Sequence, residues 1–195
     1  MLSSLRSFYR YGMCLLLLPL SVIAAEDMEL SAILAEFAKQ TEFHGHFKEE
    51  KISGILAQSL ELEGELSYRA PAYLEKHIRK PYDERQIIDG DQVIIENSTD
   101  GQRRVLSLGT VPELKIVVDS LRATLAGNLK ALQENYRVSR LPEADGWHLR
   151  LRPRDEELGE TLREIHIQGR GQHIGEFRIV QTGGGESRVV ITALP

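Results

Sequence analysis

Cysteine is nearly missing from this sequence: its 195 residues contain one, Cys14. That cysteine lies in a stretch with the marks of a secretory signal peptide, residues 1–25. Arg6 and Arg10 occur there without any acid, an apolar run follows from Met13 to Ile23, and Ala24-Ala25 precede Glu26. The run is shorter than the roughly 20 residues a membrane-spanning helix requires. Met13 stands before Cys14 and the leucines follow it, the wrong order for a lipidated cysteine. The expected mature chain, residues 26–195, therefore has no cysteine, which excludes disulfides, thiolate metal sites and cysteine catalysis. It is expected to be exported, soluble and unlipidated. No later stretch approaches about 18 apolar residues, so no second spanning segment is expected.

Positive charge is also in short supply. Removing the leader leaves 22 Lys and Arg against 29 Asp and Glu, a balance of about −7, with no basic tract. Such a chain is a poor partner for nucleic acid. Internal repeats, low-complexity runs and proline-rich linkers are absent, which points to one domain over 26–195. The catalytic signatures are missing as well: there is no G-x-S-x-G elbow, no phosphate loop and no H-E-x-x-H. Gly169-Arg170-Gly171 with Gly175 joins two strand-like segments and reads as a hairpin turn rather than a dinucleotide loop. His44 and His46 share a strand face, but no third ligand stands near them. Asp89-Gly90-Asp91 between apolar strands is turn chemistry. The expectation is a protein that is not an enzyme, with no catalytic residue, metal or cofactor.

What is present is periodicity. Leu30, Ile33, Leu34, Phe37 and Ala38 recur at helical spacing, and Asp27 is expected to cap that helix. From Phe43 the period changes to two: Phe43, Gly45 and Phe47 alternate with His44, His46 and Lys48, and Leu62, Gly64, Leu66 and Tyr68 with charged neighbours. Further strands are expected at 73–80, 84–89, 92–97 and 102–108, with turns at Asp89-Gly90-Asp91 and Thr99-Asp100-Gly101. Thr110-Val111-Pro112-Glu113 reads as a capping box opening a second helical block. Leu114, Val117, Val118, Leu121 and Leu125 form its apolar face, and Gly127 breaks it before Leu129 and Leu132. Strands resume at 135–141 and 146–152. An acidic turn or helix follows Pro153, and strands at 164–168, 172–180 and 187–193 close the chain around Gly183-Gly184-Gly185. The fold class is α+β, mainly β, with about eleven strands in a curved antiparallel sheet. One face is wet and helices cover the other. Residues alone leave open whether that concave face is packed solid or encloses a cavity, and whether Trp147 and Leu149 belong to core or lining.

The order of these pieces resembles the LolA family, the periplasmic carriers of outer-membrane lipoproteins. After the leader and amphipathic helix come Phe43-His44-Gly45-His46-Phe47-Lys48-Glu49-Glu50-Lys51, then Gly64-Glu65-Leu66-Ser67-Tyr68-Arg69-Ala70-Pro71 and the Ile88-Asp89-Gly90-Asp91-Gln92-Val93 hairpin. The helical block and the Trp147-to-Pro153 strand follow where that family has their counterparts. The segment from Val118 to Gly127 looks like a side branch of the family. The resemblance implies an unclosed β-barrel whose helices form a lid over an apolar cavity for acyl chains. The lid would use Leu114, Val117, Val118, Leu121 and Leu125. The lining would draw on Phe47, Leu66, Tyr68, Leu74, Ile88, Val93 and Ile95 from the first half, and on Trp147, Leu149, Ile165, Ile167 and Phe177 from the second. It also implies a monomeric carrier of lipoprotein or a related lipid, loaded by an inner-membrane exporter and unloaded to an outer-membrane receptor. A non-transport envelope module on the same scaffold is the alternative. The family pattern has an arginine directly before the proline, projecting inward to hydrogen-bond the lid. Here that position is Ala70, and Arg69 should face the opposite way. The lid is therefore expected to be held by apolar contact alone.

Overall fold

The computed structural model describes residues 20–54 and 59–194. Most of the expected leader, residues 1–19, lies outside them. Helix α1, Leu20–Phe37, runs unbroken through Ala24-Ala25 and Asp27, so the helix start expected at Asp27 is corrected. Alanine is the best helix former, and nothing ahead of Asp27 stops the helix from propagating backwards. Among the described residues no helix is long and apolar enough to cross a membrane.

Eleven strands form one antiparallel sheet. The first six are β1 Glu42–Ile52, β2 Ser59–Arg69, β3 Tyr73–Lys80, β4 Glu84–Asp89, β5 Gln92–Asn97 and β6 Gln102–Ser107. The last five are β7 Tyr136–Leu141, β8 Trp147–Pro153, β9 Leu162–Arg170, β10 His173–Gln181 and β11 Glu186–Ala193. Their spatial order is β6-β5-β4-β3-β2-β1-β11-β10-β9-β8-β7. The chain thus enters mid-sheet at β1 and meanders to one edge at β6. It then crosses to the other edge at β7 and meanders back until β11 pairs with β1. The crossing is helical: a 3-10 turn at Leu108–Thr110, then α2 Pro112–Leu125 and α3 Leu129–Asn135. A short α4, Glu156–Thr161, is capped by Asp155, whose side chain accepts from the Leu158 amide at 2.8 Å.

The turns follow their residues. Gly90, Gly101 and Gly171 sit at φ of +55°, +69° and +55° in three hairpins, a region an L side chain resists. Gly127 at φ +68° separates α2 from α3. The capping box does not form. Val111 is the N-cap of α2 with no side-chain cap bond, and the Thr110 hydroxyl donates instead to the Ser107 carbonyl at 2.7 Å. The reason is local: the 3-10 turn ahead of Pro112 engages Thr110 before α2 begins.

Strand alternation sorts the two sheet faces. On the convex side, charges pair across neighbouring strands, as in Lys80–Glu63 at 3.2 Å, Arg85–Glu75 at 3.1 Å and Arg188–Glu176 at 2.7 Å. Arg69 lies on this face, exposed, with its guanidinium 4.6 Å from the Tyr73 ring centre. His148 and His166 are buried on the same side, their rings joined Nε2 to Nδ1 at 2.8 Å. Burial, and then the His166 ring beside it, holds the His148 pKa below its ordinary value.

The concave side is unevenly filled. Leu30, Leu34 and Phe37 of α1 bury against Trp147, Leu149, Ile165 and Ile167, all 5% exposed or less. Phe37 meets Trp147 edge-on at 4.9 Å, and the indole Nε1 donates to the Gly171 carbonyl at 3.0 Å. These four sheet residues, expected to line a cavity, are therefore core: α1 occupies the space above them. Val93 is likewise buried, and half-buried Ile95 packs with it against Val118, Leu108 and Leu114. Phe47 forms a third cluster with Leu62 and Ile78. Its ring lies over Gly64, where an added Cβ would come 2.9 Å from the ring and 1.9 Å from the His77 carbonyl oxygen.

The α1 contact is thus structural, and Phe37→Ala should cost about 3–5 kcal/mol through loss of burial plus cavity formation. Urea unfolding followed through Trp147 fluorescence measures it; a loss under 1 kcal/mol would mean α1 only rests on the sheet.

Candidate functional site

Between the two sealed regions the concave face stays open. A cavity of about 930 Å³ lies over β1, β2, β3, β10 and β11 and beneath α2. That is near the top of the ~300–1,000 Å³ range of single-ligand pockets. Five of the expected lining residues border it: Leu66, Tyr68, Leu74, Ile88 and Phe177. The other seven, Phe47, Val93, Ile95, Trp147, Leu149, Ile165 and Ile167, do not. Phe43, Ile52, Leu60, Ile174, Ile179, Val189 and Ile191 add to the apolar wall. Their signal was strand parity: Phe43 shares its face with Phe47, and Val189 and Ile191 stand across from Glu49 and Phe47.

All five residues expected in the lid, Leu114, Val117, Val118, Leu121 and Leu125, border the cavity from α2. The opposite side of α2 packs on its helical neighbours through Ile116 and Ala123, with Ser120 and Thr124 buried. Both hydroxyls donate to carbonyls within the helix, Ser120 to Val117 at 2.7 Å and Thr124 to Ser120 at 2.8 Å, so neither is left unsatisfied.

The roof is not held by apolar contact alone, and that expectation is corrected. Arg122 reaches from α2 to the sheet rim, where its Nη2 donates to the carbonyls of Ala72 and Gly90, each at 2.7 Å. Ala72 is in the β2–β3 turn and Gly90 in the β4–β5 hairpin, so one guanidinium ties the helix to two successive turns. The expected latch had its arginine on the barrel, before Pro71. Here the donor stands on the helix and the barrel supplies carbonyls. The trace in sequence is a lone arginine between Leu121 and Leu125.

The cavity wall also holds a charge cluster that apolar patterning passes over. Glu49 is 4% exposed. It is hydrogen-bonded by the Lys76 ammonium, accepts from the Ser187 hydroxyl at 2.6 Å, and has Lys51 at 3.6 Å. Burial works to raise the Glu49 pKa, but the Lys76 charge and the two hydrogen bonds win and hold it below the ordinary carboxylate value. Burial depresses Lys76, and the Glu49 charge only partly restores it. The Lys76 ammonium also sits 4.9 Å from the Phe47 ring centre. Strand parity marks both residues: Glu49 continues the inward series Phe43, Gly45, Phe47, and Lys76 lies between Leu74 and Ile78. Elsewhere, His44 Nδ1 is 3.0 Å from Ser67 Oγ on the exposed face, and His46 is exposed.

Comparisons with known proteins place the chain by family. The profile of a family described as "Outer membrane lipoprotein carrier protein LolA-like" matches residues 22–193. Among curated proteins none matches. A solved LolA superfamily protein, NE2245 from Nitrosomonas europaea, is 9% identical, with 84% of this chain and 91% of that chain covered at a TM-score of 0.45. The Pseudomonas aeruginosa MucA/MucB complex contains a chain 15% identical, with 84% of this chain and 56% of that one covered at a TM-score of 0.49. A putative outer membrane lipoprotein-sorting protein domain from Vibrio parahaemolyticus is 9% identical, covering 85% and 89% at 0.44.

Two outcomes follow from the polar contacts. Arg122→Ala removes two charge-assisted hydrogen bonds, worth about 1.5–3 kcal/mol. It should raise amide exchange and protease cleavage across 110–133 while the strands stay protected; unchanged exchange would deny the tie. Glu49→Gln leaves Lys76 without its counter-ion, at a cost of about 3 kcal/mol near pH 7. Because the native Glu49 pKa is depressed, its contribution is present above the unfolded value of 4.5 and lost as pH falls through the lower native value. The stability gap between wild type and Glu49→Gln, from denaturant unfolding at several pH values, should narrow below pH 4.5; a gap independent of pH would refute the pairing.

Proposed function

This chain belongs to the LolA-like family of outer membrane lipoprotein carrier proteins, and from that premise we propose that it is a periplasmic carrier. On this reading it shields the acyl chains of a lipoprotein or related lipid in its cavity and ferries them from the inner to the outer membrane. The observation that carries the proposal is the apolar cavity of about 930 Å³ beneath α2. An empty apolar void of that size is costly, whereas each buried methylene of an acyl chain contributes about 0.8 kcal/mol. The helix above it is amphipathic and only half-buried at Leu114, Val117 and Leu121, as suits a cover that exchanges its apolar contacts for those of cargo.

Residues 1–25 are proposed as the export leader and residues 26–195 as the single mature carrier domain, acting as a monomer. With no phosphate loop in the sequence and no ATP in the periplasm, direction must come from partners. An energised inner-membrane exporter would load the carrier, and an outer-membrane receptor of higher affinity would unload it. The protein's part is binding rather than catalysis.

The test is organic extraction of the mature protein purified from the periplasm, with mass spectrometry of the extract. Wild type should release acylated species, and Tyr68→Asp should release none while keeping its fold, because a carboxylate on a cavity wall repels acyl chains yet can be hydrated. Leu121→Glu should weaken uptake of a fluorescent lipid by placing a charge on the roof. Wild type carrying no acylated species, or Tyr68→Asp carrying as much as wild type, would refute the carrier reading.

A further inference from the structure

The cavity is chemically two-ended. Along β1, Phe43 and Lys51 both border it and are separated by eight residues, about 27 Å of extended strand. The acyl chains of one bilayer leaflet span about 15 Å, half of the ~30 Å hydrocarbon core. The void therefore holds an acyl chain with room left for a head group. At the Phe43 end the wall is Tyr68, Leu74 and Ile88 under Leu121 and Leu125; at the Lys51 end Ile52 and Leu60 are joined by Ser59, Gln181, Ser187 and the Glu49–Lys76 pair. A wholly apolar cargo would meet Ile52 and Leu60 there but would offer nothing to the Lys51 ammonium.

Charge at the polar end has a definite sign. Of the three acidic residues that border the cavity, Glu49 stands at an inward strand position, whereas Glu75 and Glu186 alternate to the convex side. Each has its own cation: Lys76 on Glu49, Arg85 on Glu75 at 3.1 Å, and Arg178 near Glu186 at 3.9 Å. Lys51 is the surplus. It reaches only Glu49, at 3.6 Å, an oxygen that already accepts from Ser187 at 2.6 Å, and its side chain is 47% exposed. A lysine ammonium carries three donors and no acceptor, so its natural partner is an anion. The Lys76–Glu49–Ser187 bonds in turn fix the carboxylate beside it, so an incoming anion meets a neutralised neighbour rather than a bare negative charge.

Building on the carrier reading, we propose that the cavity selects single-headed anionic amphiphiles, an acyl chain ending in a carboxylate or a phosphate. The head sits at Lys51 and the chain runs beneath α2 toward Phe43 and Tyr68. Glu49 and Lys76 are positioning residues that set the local charge; Lys51 is the contact.

The experiment is competition binding on the delipidated mature protein with four probes of one chain length: palmitate, 1-palmitoyl lysophosphatidate, 1-palmitoyl lysophosphatidylcholine and monopalmitoylglycerol. The anionic probes should bind about tenfold tighter than the neutral glyceride, the worth of one charge-assisted contact, and the zwitterion should fall with the glyceride. Palmitate against lysophosphatidate tells which anion is preferred. Lys51→Gln should collapse the tenfold ratio, whereas Lys48→Gln, on the convex face with its side chain 80% exposed, should preserve it. Equal affinity for all four probes, or a ratio surviving in Lys51→Gln, overturns the head-group inference and leaves the carrier reading standing. No binding of any probe overturns both.

Discussion

The free edges of the sheet determine most of what this molecule can be. Six strands meander outward from β1 to β6 and five return from β7 to β11, so the last strand closes on the first in mid-sheet and two edges remain unpaired. The chain must travel between those edges, and on a strongly curved sheet the short way is across the concave face. The 3-10 turn, α2 and α3 are that route. A helix so placed cannot avoid roofing the concavity, and its sequence has only to decide how closely it sits. Cavity and cover are in this sense one topological consequence, with side chains setting the details.

How closely the roof sits is decided at its two ends and by one guanidinium. At the start of the crossover Leu108 is buried against Val93 and Val118. At its far end Gly127 comes so near α1 that an added Cβ would lie 2.7 Å from the Leu34 carbonyl oxygen. Between them Arg122 spans to two turns of the sheet rim. The crossover is thus anchored as a strap at both ends, with a polar tie whose acceptors are backbone carbonyls. Such carbonyls exist whatever the side chains are, so the tie asks for a particular residue only on the helix.

Period-two alternation located the strands to within about three residues and gave Phe47, Leu66, Tyr68, Trp147 and Leu149 one face of the sheet. It could not say what stands above each of them. Trp147 and Tyr68 have the same parity in similar strands, yet Phe37 covers one and the other faces a cavity. That difference is set by where α1 lands, a contact between residues over a hundred positions apart. Charged residues carry the opposite blind spot. Glu49 and Lys76 obey the inward parity of their strands, but a reading that looks for apolar residues inside treats them as interruptions. Arg122 was hidden because it is flanked by the apolar face of α2 and finds its acceptors on turns, where sequence offers no side chain to recognise. The helix start at Asp27 failed for another reason: a capping residue stops a helix only where the residues before it favour another conformation.

The Glu49–Lys76 pair remains the least economical feature of the concave face, since burying an ion pair seldom gains over a well-packed apolar replacement. Its position gives it a physical rationale. Phe47, Leu62 and Ile78 make a closed cluster directly beside it, and two more aliphatic side chains there would extend that cluster and shorten the void. Charges that are bonded to each other along the wall cannot collapse into the gap above them, because doing so would strip their remaining hydration. The pair therefore holds this end of the cavity open and wet, while the apolar end relies on the α2 strap to keep water out. A binding site with one dry end and one wet end orients whatever enters it before any specific contact is made.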